Sequence, residues 1–571
     1  MQRQEALTIR DWNLIRLRSR VTADDRRRER PDEKPLRAEL FNIEQLEQHA
    51  KRLAKWHEVD PTPGADRLLI RLAENETVLL RAYEQVTEAV EAKRRIAPAG
   101  EWLLDNFYLI EEQIRLARRH LPKGYSRELP RLISGPSAGL PRVYDIALEL
   151  ISHMDGRVDA ESLTSFVAAY QPVTPLNLGE LWAIPIMLRL ALIENLRRVA
   201  GRMARDLQER NEAADWAERL IEVAEETPKN LITAVGDLAR AEPPLTSSFV
   251  AELACRLQGQ SSALTLPMTW VEQMLSDQGQ TVEQLVQAES QHQAADQVSI
   301  GNSIGSFRLL GSISWLEFVE TLSVVEQHLR LDPVDEYSDM DASTRDEYRH
   351  VVERVAKESP LEEHEVAQKT VQLARKAPES EDDQYDRRRH VGYYLIDDGL
   401  CELRRVCEAR PTFREAVTER GRHCPLCLYT GAILLLTAAF TAILVAGGRL
   451  AGLSGWWLLA GGAAAAVAGS QLALMLVNWL VTLLVTPREL PRMDFAEEIP
   501  SSCRTLVAVL SMLSSADEVA ELVSKLEIRY LANRDPHVHF ALLTDFRDAP
   551  EEHMPGDEDL VEAARKGIRD L

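Results

Sequence analysis

Cysteine is scarce, with six in 571 residues, too few and too scattered for a disulfide framework. Cys255, Cys401, Cys407 and Cys503 read as ordinary buried or reduced thiols. Cys424 and Cys427 make a single CxxC beside His423. Without a second CxxC a tetrahedral zinc site lacks two ligands, which leaves weak metal binding or lipidation open there. Positive charge is also short: 67 Lys and Arg against 90 Asp and Glu give a net charge of −23. A protein that tracks nucleic-acid phosphates needs the opposite balance, so the charge reads as a solvated acidic surface. No GxGxxG and no P-loop occurs, which excludes those phosphate cradles. The opening residues MQRQEALTIRDWN hold no apolar core, so no cleavable signal peptide is expected. Aromatic residues make up only 6%.

What remains is rich in Leu, Ala, Glu and Arg, a mixture that favours helix. The expected fold is mostly α: a multi-helix domain, a two-helix transmembrane hairpin, and then the start of an α/β sheet. Residues 1–35, rich in Arg and Asp, are compositionally suited to disorder. Residues 36–423 read as helix after helix, with apolar residues at helical spacing in Ala65–Arg94, Glu101–Leu121, Leu181–Gln208 and Ser314–Leu331. Turns are marked by PTPGA, LPKGY, SGPSAGLP, AEPPLTSS and LDPVDEYSD. APESEDDQYDRRR, 377–389, reads as a solvated charge run between helices.

Two runs carry no charge at all, Cys424–Gly448 and Leu450–Pro487. About 20 apolar residues cross a bilayer core, so spans are expected at about 426–446 and 456–485, within a hairpin at 424–486. Arg410, Arg414, Arg420 and Arg422 precede the pair and Arg488 and Arg492 follow it, while the turn holds only Arg449. Both large flanks are therefore expected in the cytoplasm. Gly461, Gly462, Ala465, Ala466 and Gly469 form a small-residue stripe suited to close helix approach. Gln471 and Asn478, seven apart, share a face. Helix packing is the simpler reading of both, a polysaccharide path the alternative. Two helices cannot enclose a channel, so any channel needs partner helices from elsewhere.

After the hairpin, 487–571 opens with RTLVAVLS, Arg504–Ser511, a β-rich run. An amphipathic stretch, Ala516–Asn533, follows. Then comes HVHFALL, His537–Leu543, which ends in Thr544-Asp545-Phe546. This is the pattern of a strand–helix–strand unit, where ligands bind beyond the carboxyl ends of the strands. Asp545 stands at such an end and Asp548 is a near alternative. Capping a turn is the bland role for Asp545. Glu551–Asp559 reads as an acidic loop.

Seven stretches mix aromatic, charged and glycine residues beyond what plain helix packing requires. They are EWLLDNFYLIEEQI, LPKGYSRELPRL, GLPRVYDIA, NLGELWAIPIMLRLALIENLRR, QVSIGNSIGSFRLL, DMDASTRDEYRHVVERVA and RHVGYYLIDDG. In this order they resemble the amino-terminal region of the cyclic β-1,2-glucan synthases, over residues 60–571. The resemblance implies a membrane enzyme that builds cyclic β-1,2-glucan from UDP-glucose, with a GT-A-like glycosyltransferase sheet following the membrane pair. It implies that Asp545 contacts the uridine of the UDP-sugar, and it implies a divalent metal, Mg or Mn, in the full-length enzyme. The inner membrane of a bacterium is the implied location, with the amino terminus and 487–571 in the cytoplasm. Membrane lipid, UDP-glucose, glucan and the missing carboxyl-terminal domains are the implied partners; nucleic acid is not. No metal ligands and no catalytic base are recognisable within the chain, so it reads as a fragment or truncated product, inactive alone. The rival reading is a non-enzymatic membrane-anchored scaffold or regulator.

Other motifs weigh little. His364-Glu365 begins an HExxH pattern, but Gln368 replaces the second His. Trp182, Tyr170 and Tyr144 are of a type that stacks on sugars, yet aromatics at helical positions are usually core. Glu111 and Glu112 are adjacent on a helix and diverge, so they are no glycosidase pair.

Overall fold

The structure is a computed structural model that describes residues 33–121, 124–377, 387–410, 425–484, 490–496, 498–551 and 554–571. Most of the expected disordered start, most of the 377–389 charge run, and His423 and Cys424 lie outside the described residues. The chain divides into two units, Met1–Gln327 and His328–Leu571. It is mostly helical, with two small two-stranded sheets among the described residues.

The first unit is organised by one helix, Leu178–Glu226, whose 49 residues span about 74 Å at 1.5 Å per residue. The sequence pattern covers only part of it, because the polar stretch beyond Gln208 continues in helical conformation. It starts with a capping box: the Asn177 backbone N–H donates to Glu180 at 2.9 Å. Its first half is apolar all round, as burial among several helices requires. Leu181, Ile184, Leu188, Leu192 and Leu196 are all buried there, joined by Leu79, Leu103, Ile110, Val143, Phe166 and Ile304 from neighbouring helices. Its second half, from Ala213, sits in a separate apolar cluster with Phe249, Leu253 and Val271.

The central helix carries two fully buried carboxylates, and both are paired. Glu180 is fully buried, and Arg142 donates to it from Nε at 2.8 Å and Nη2 at 2.5 Å. Glu194, also fully buried, accepts from Arg71, Asn75, Arg197 and Arg198. Burial pushes its carboxyl up, but hydrogen bonding from Arg71 and the surrounding guanidinium charges outweigh that and hold it well below the usual range. Removing one partner of such a pair strands the other charge in the core, at a cost of about 3–5 kcal/mol.

The expected Ser314–Leu331 helix is two, Trp315–Leu322 and Val324–Leu329. Ser323 breaks it, because its hydroxyl accepts from the Glu326 N–H as a local cap. In the second unit, helices Ala342–Glu358, Glu363–Lys376, Val391–Ile396 and Leu400–Val406 pack together. The HExxQ segment opens the second of these, where Glu365 closes a capping box with Glu362 and has no metal-binding geometry.

Two helices, Leu426–Leu450 and Trp456–Leu483, are long and apolar enough to cross a membrane. Leu434, Leu435, Ile443, Trp457 and Val467 are exposed on them, as lipid-facing side chains would be. The first helix runs four residues past the expected 446. Its GGRL end stays helical, with Arg449 in the last turn where a cation suits the helix dipole. The turn is correspondingly short, and Gly452 and Gly455 both adopt positive φ in it. The pair packs closely at Gly469, where an added Cβ would meet Phe440 at 3.3 Å. Tyr429 donates to Asn478 across the pair at 2.8 Å, so Asn478 serves helix packing.

Past the hairpin the backbone returns to the helices of its own unit. Asp341 N–H donates to Arg492 C=O at 2.9 Å, and Asp494 N–H donates to Asp339 C=O at 2.7 Å. The Arg492 N–H adds a bond to Thr344 Oγ1 at 3.1 Å. Residues 492–494 therefore lie against residues 339–344.

Candidate functional site

The strand Thr505–Leu513, the helix Ala516–Ala532 and the strand Val538–Phe546 follow in order. The first strand, TLVAVLSML, carries two β-branched Val and one Thr, which suit a pleated surface. Ser515 caps the helix by accepting from the Glu518 N–H at 3.3 Å. The two strands pair in parallel with unbroken register from Thr505–Val538 to Leu513–Phe546. Each is longer at its carboxyl end than the sequence indicated, so the second strand runs through Asp545 to Phe546.

Asp535 sets the entry to that strand. Its carboxylate accepts from the His537 N–H at 2.7 Å and from the Ile499 N–H at 2.9 Å. These backbone bonds hold its carboxyl below the ordinary value. Nothing in composition marked Asp535, although an Asp-Pro pair before a strand is a recognisable turn signal. On the far side, the helix Asp557–Asp570 begins after Gly556, at φ 107°. Ala564, Leu560 and Val561 pack with Val519, Leu522 and Leu513 to form this segment's small core. Gly567 lies so close to Val523 that an added Cβ would meet it at 2.9 Å.

Asp545 is exposed, opposite Met512 in the register, one residue from the strand's end. One carboxylate oxygen accepts from the Phe546 N–H at 2.8 Å, which leaves acceptor capacity directed outward. Asp548 is exposed three residues on, and Arg547 lies 4.0 Å from Glu518. The structure thus places both sequence-selected carboxylates at the carboxyl edge of a parallel pair. The face of the first strand turned away from the two helices, which Met512 shares with its register partner Asp545, is open and apolar: Leu506, Leu510 and Met512 are 64%, 80% and 56% exposed.

Among the described residues, the one convergent group of three potential metal-ligating side chains is His49, Glu149 and His153. Asp545 and Asp548 are not members of that group.

Buried aromatics account for other sequence leads. Tyr144 and Tyr170 are 1% and 0% exposed, so neither can stack on a sugar. Tyr170 bonds His57 at 2.8 Å and His57 contacts Asp145 at 3.1 Å, a row of three that superficially suggests an activated nucleophile. Burial instead pushes the Tyr170 phenol up, and no substrate reaches it. Of the cysteines, Cys407 is buried, while Cys255, Cys401 and Cys503 are exposed rather than buried.

No protein-family model matches the chain. Over 503 residues, 88% of its length, it is 31% identical to the protein named Cyclic beta-(1,2)-glucan synthase NdvB of Rhizobium meliloti (strain 1021). The match takes in 18% of that protein, so the chain spans less than a fifth of the curated relative's length. That similarity places the chain with the cyclic β-(1,2)-glucan synthases.

Proposed function

We propose that this chain is the membrane-proximal region of a glycosyltransferase that polymerises glucose from UDP-glucose into cyclic β-1,2-glucan. In that reaction an acceptor hydroxyl attacks the anomeric carbon, the bond to UDP breaks, and the acceptor proton passes to a base. The parallel strand–helix–strand unit with Asp545 at its carboxyl edge, directly after the apolar hairpin, carries the reading. Asp545 is assigned to hydrogen-bond the uridine, with Asp548 as the alternate, because ligands of such sheets bind beyond the strands' carboxyl ends. The open apolar face at Leu506 and Leu510 supports a further layer packed over it, since parallel sheets are covered on both faces. The base, and the divalent metal that would neutralise the departing diphosphate, are assigned to residues outside this chain, so the 571 residues alone do not perform transfer.

The hairpin is assigned to the bacterial inner membrane with both flanks in the cytoplasm. The basic flanks favour that side, and the 339–344 to 492–494 hydrogen bonds support a common side for both.

Membranes from cells expressing the intact gene that encodes this chain should incorporate label from UDP-[14C]glucose into a glucan of 1,2 linkage, by methylation analysis. Absence of transfer would favour the rival reading of a membrane-anchored scaffold. Another linkage would refute the assigned product.

A further inference from the structure

His49 lies on the helix Ile43–Trp56, while Glu149 and His153 lie four residues apart on the helix Arg142–His153. Their ligand atoms converge within 4.8 Å of one another. His49 Nε2 is 2.9 Å from Glu149 Oε2, and His153 Nε2 is 3.6 Å from the same oxygen. Bonds of about 2.0–2.1 Å to a tetrahedral ion set ligand atoms about 3.3 Å apart, between those two distances. All three ligand atoms, no more than 4.8 Å apart, come to that spacing by side-chain adjustment.

The His153 ring is already oriented. Its Nδ1–H donates to the Glu39 carbonyl at 2.7 Å, which in a neutral ring leaves the Nε2 lone pair facing the Glu149 carboxylate. A lone pair facing a carboxylate is repulsive unless a proton or a cation lies between them. An imidazole whose other nitrogen is anchored on a backbone carbonyl is also the usual support of a metal-bound histidine. Phe41 stacks on His153 at 3.9 Å, and His49 meets His153 edge-on at 4.6 Å, so both rings are walled in place. The side chains of His49 and His153 are 14% and 11% exposed and that of Glu149 35%, so the cluster is largely enclosed.

We propose that His49, Glu149 and His153 form a binding site for a zinc-type divalent cation that ties the Ile43–Trp56 helix to the Arg142–His153 helix. Two nitrogens and one carboxylate oxygen suit a borderline ion better than Mg2+ or Ca2+, which prefer all-oxygen shells. The role is structural: the ion clamps two helices of the first unit, far in sequence from Asp545.

The test uses the full chain purified in detergent, stripped with EDTA and titrated with Co2+, then with Zn2+. One equivalent of Co2+ should give the visible absorption of a tetrahedral site, Zn2+ should abolish it, and Zn2+ should raise the Tm. His49→Gln and Glu149→Gln should each lose the absorption and weaken Zn2+ binding by roughly a hundredfold, with helical circular dichroism unchanged. Glu149→Gln retains the shape and a hydrogen bond to His49, so it remains informative should His49→Gln misfold. No absorption in the wild type would overturn the proposal. So would absorption that survives Glu149→Gln, or that is lost instead in Cys427→Ser.

Discussion

Glu194 and Asp206 lie twelve residues apart on one helix and meet opposite surroundings. Glu194 is enclosed by guanidinium groups and stays charged. Asp206 is pushed up to about 7, first by burial, then by the charges of Glu289 and Glu209, with Arg202 and Arg210 offsetting only part. A carboxyl whose folded value is raised makes the folded state the better proton binder. Its contribution is most favourable below about 4 and is lost as pH rises toward 7. Asp206→Asn should therefore leave stability near pH 4 unchanged and raise it at pH 8 by on the order of 1–3 kcal/mol. Thermal unfolding at several pH values checks this, and parallel pH curves for wild type and variant would reject it. Such residues were hard to see in the sequence. Arg197 and Arg198 beside Glu194 were visible as local neighbours, but Arg71 reaches it from 123 residues away. The His49 cluster was invisible for the same reason, since His49 and Glu149 are 100 residues apart.

At the scale of elements, the hairpin was the most legible part of the chain, because hydrocarbon imposes both a length and an absence of charge. Element ends were less legible. The first apolar helix outran its expected end at GGRL, and Ser323 split a pattern that read as one helix, because capping geometry is set by a single side chain. The return of 492–494 to 339–344 left no sequence signal, since backbone groups make most of those bonds. Replacing the donor tests that return. Asp494→Pro removes the 2.7 Å bond to Asp339 and costs about 0.5–1.5 kcal/mol locally. Amide exchange at Asp341 should then quicken about tenfold while the helix Ala342–Glu358 stays protected. Unchanged exchange at Asp341 would mean that the segment is not held there.

For the whole molecule, the order of helical region, apolar hairpin and parallel strand pair was readable because each follows a different hydrophobic period. The packing of the long central helix was not, because its all-round apolar half gives no single face to read. Asp545 was singled out through the strand that ends near it, and in the structure it lies exposed on that strand, opposite Met512. The most direct measurement is the UDP-glucose dependence of glucan synthesis in membranes carrying the intact gene, wild type against Asp545→Asn. With Asp545 on the uridine, KM for UDP-glucose should rise at least tenfold, the loss of about 1.4 kcal/mol of binding, while kcat changes little. An unchanged KM would contradict the assignment of this strand end to the sugar nucleotide.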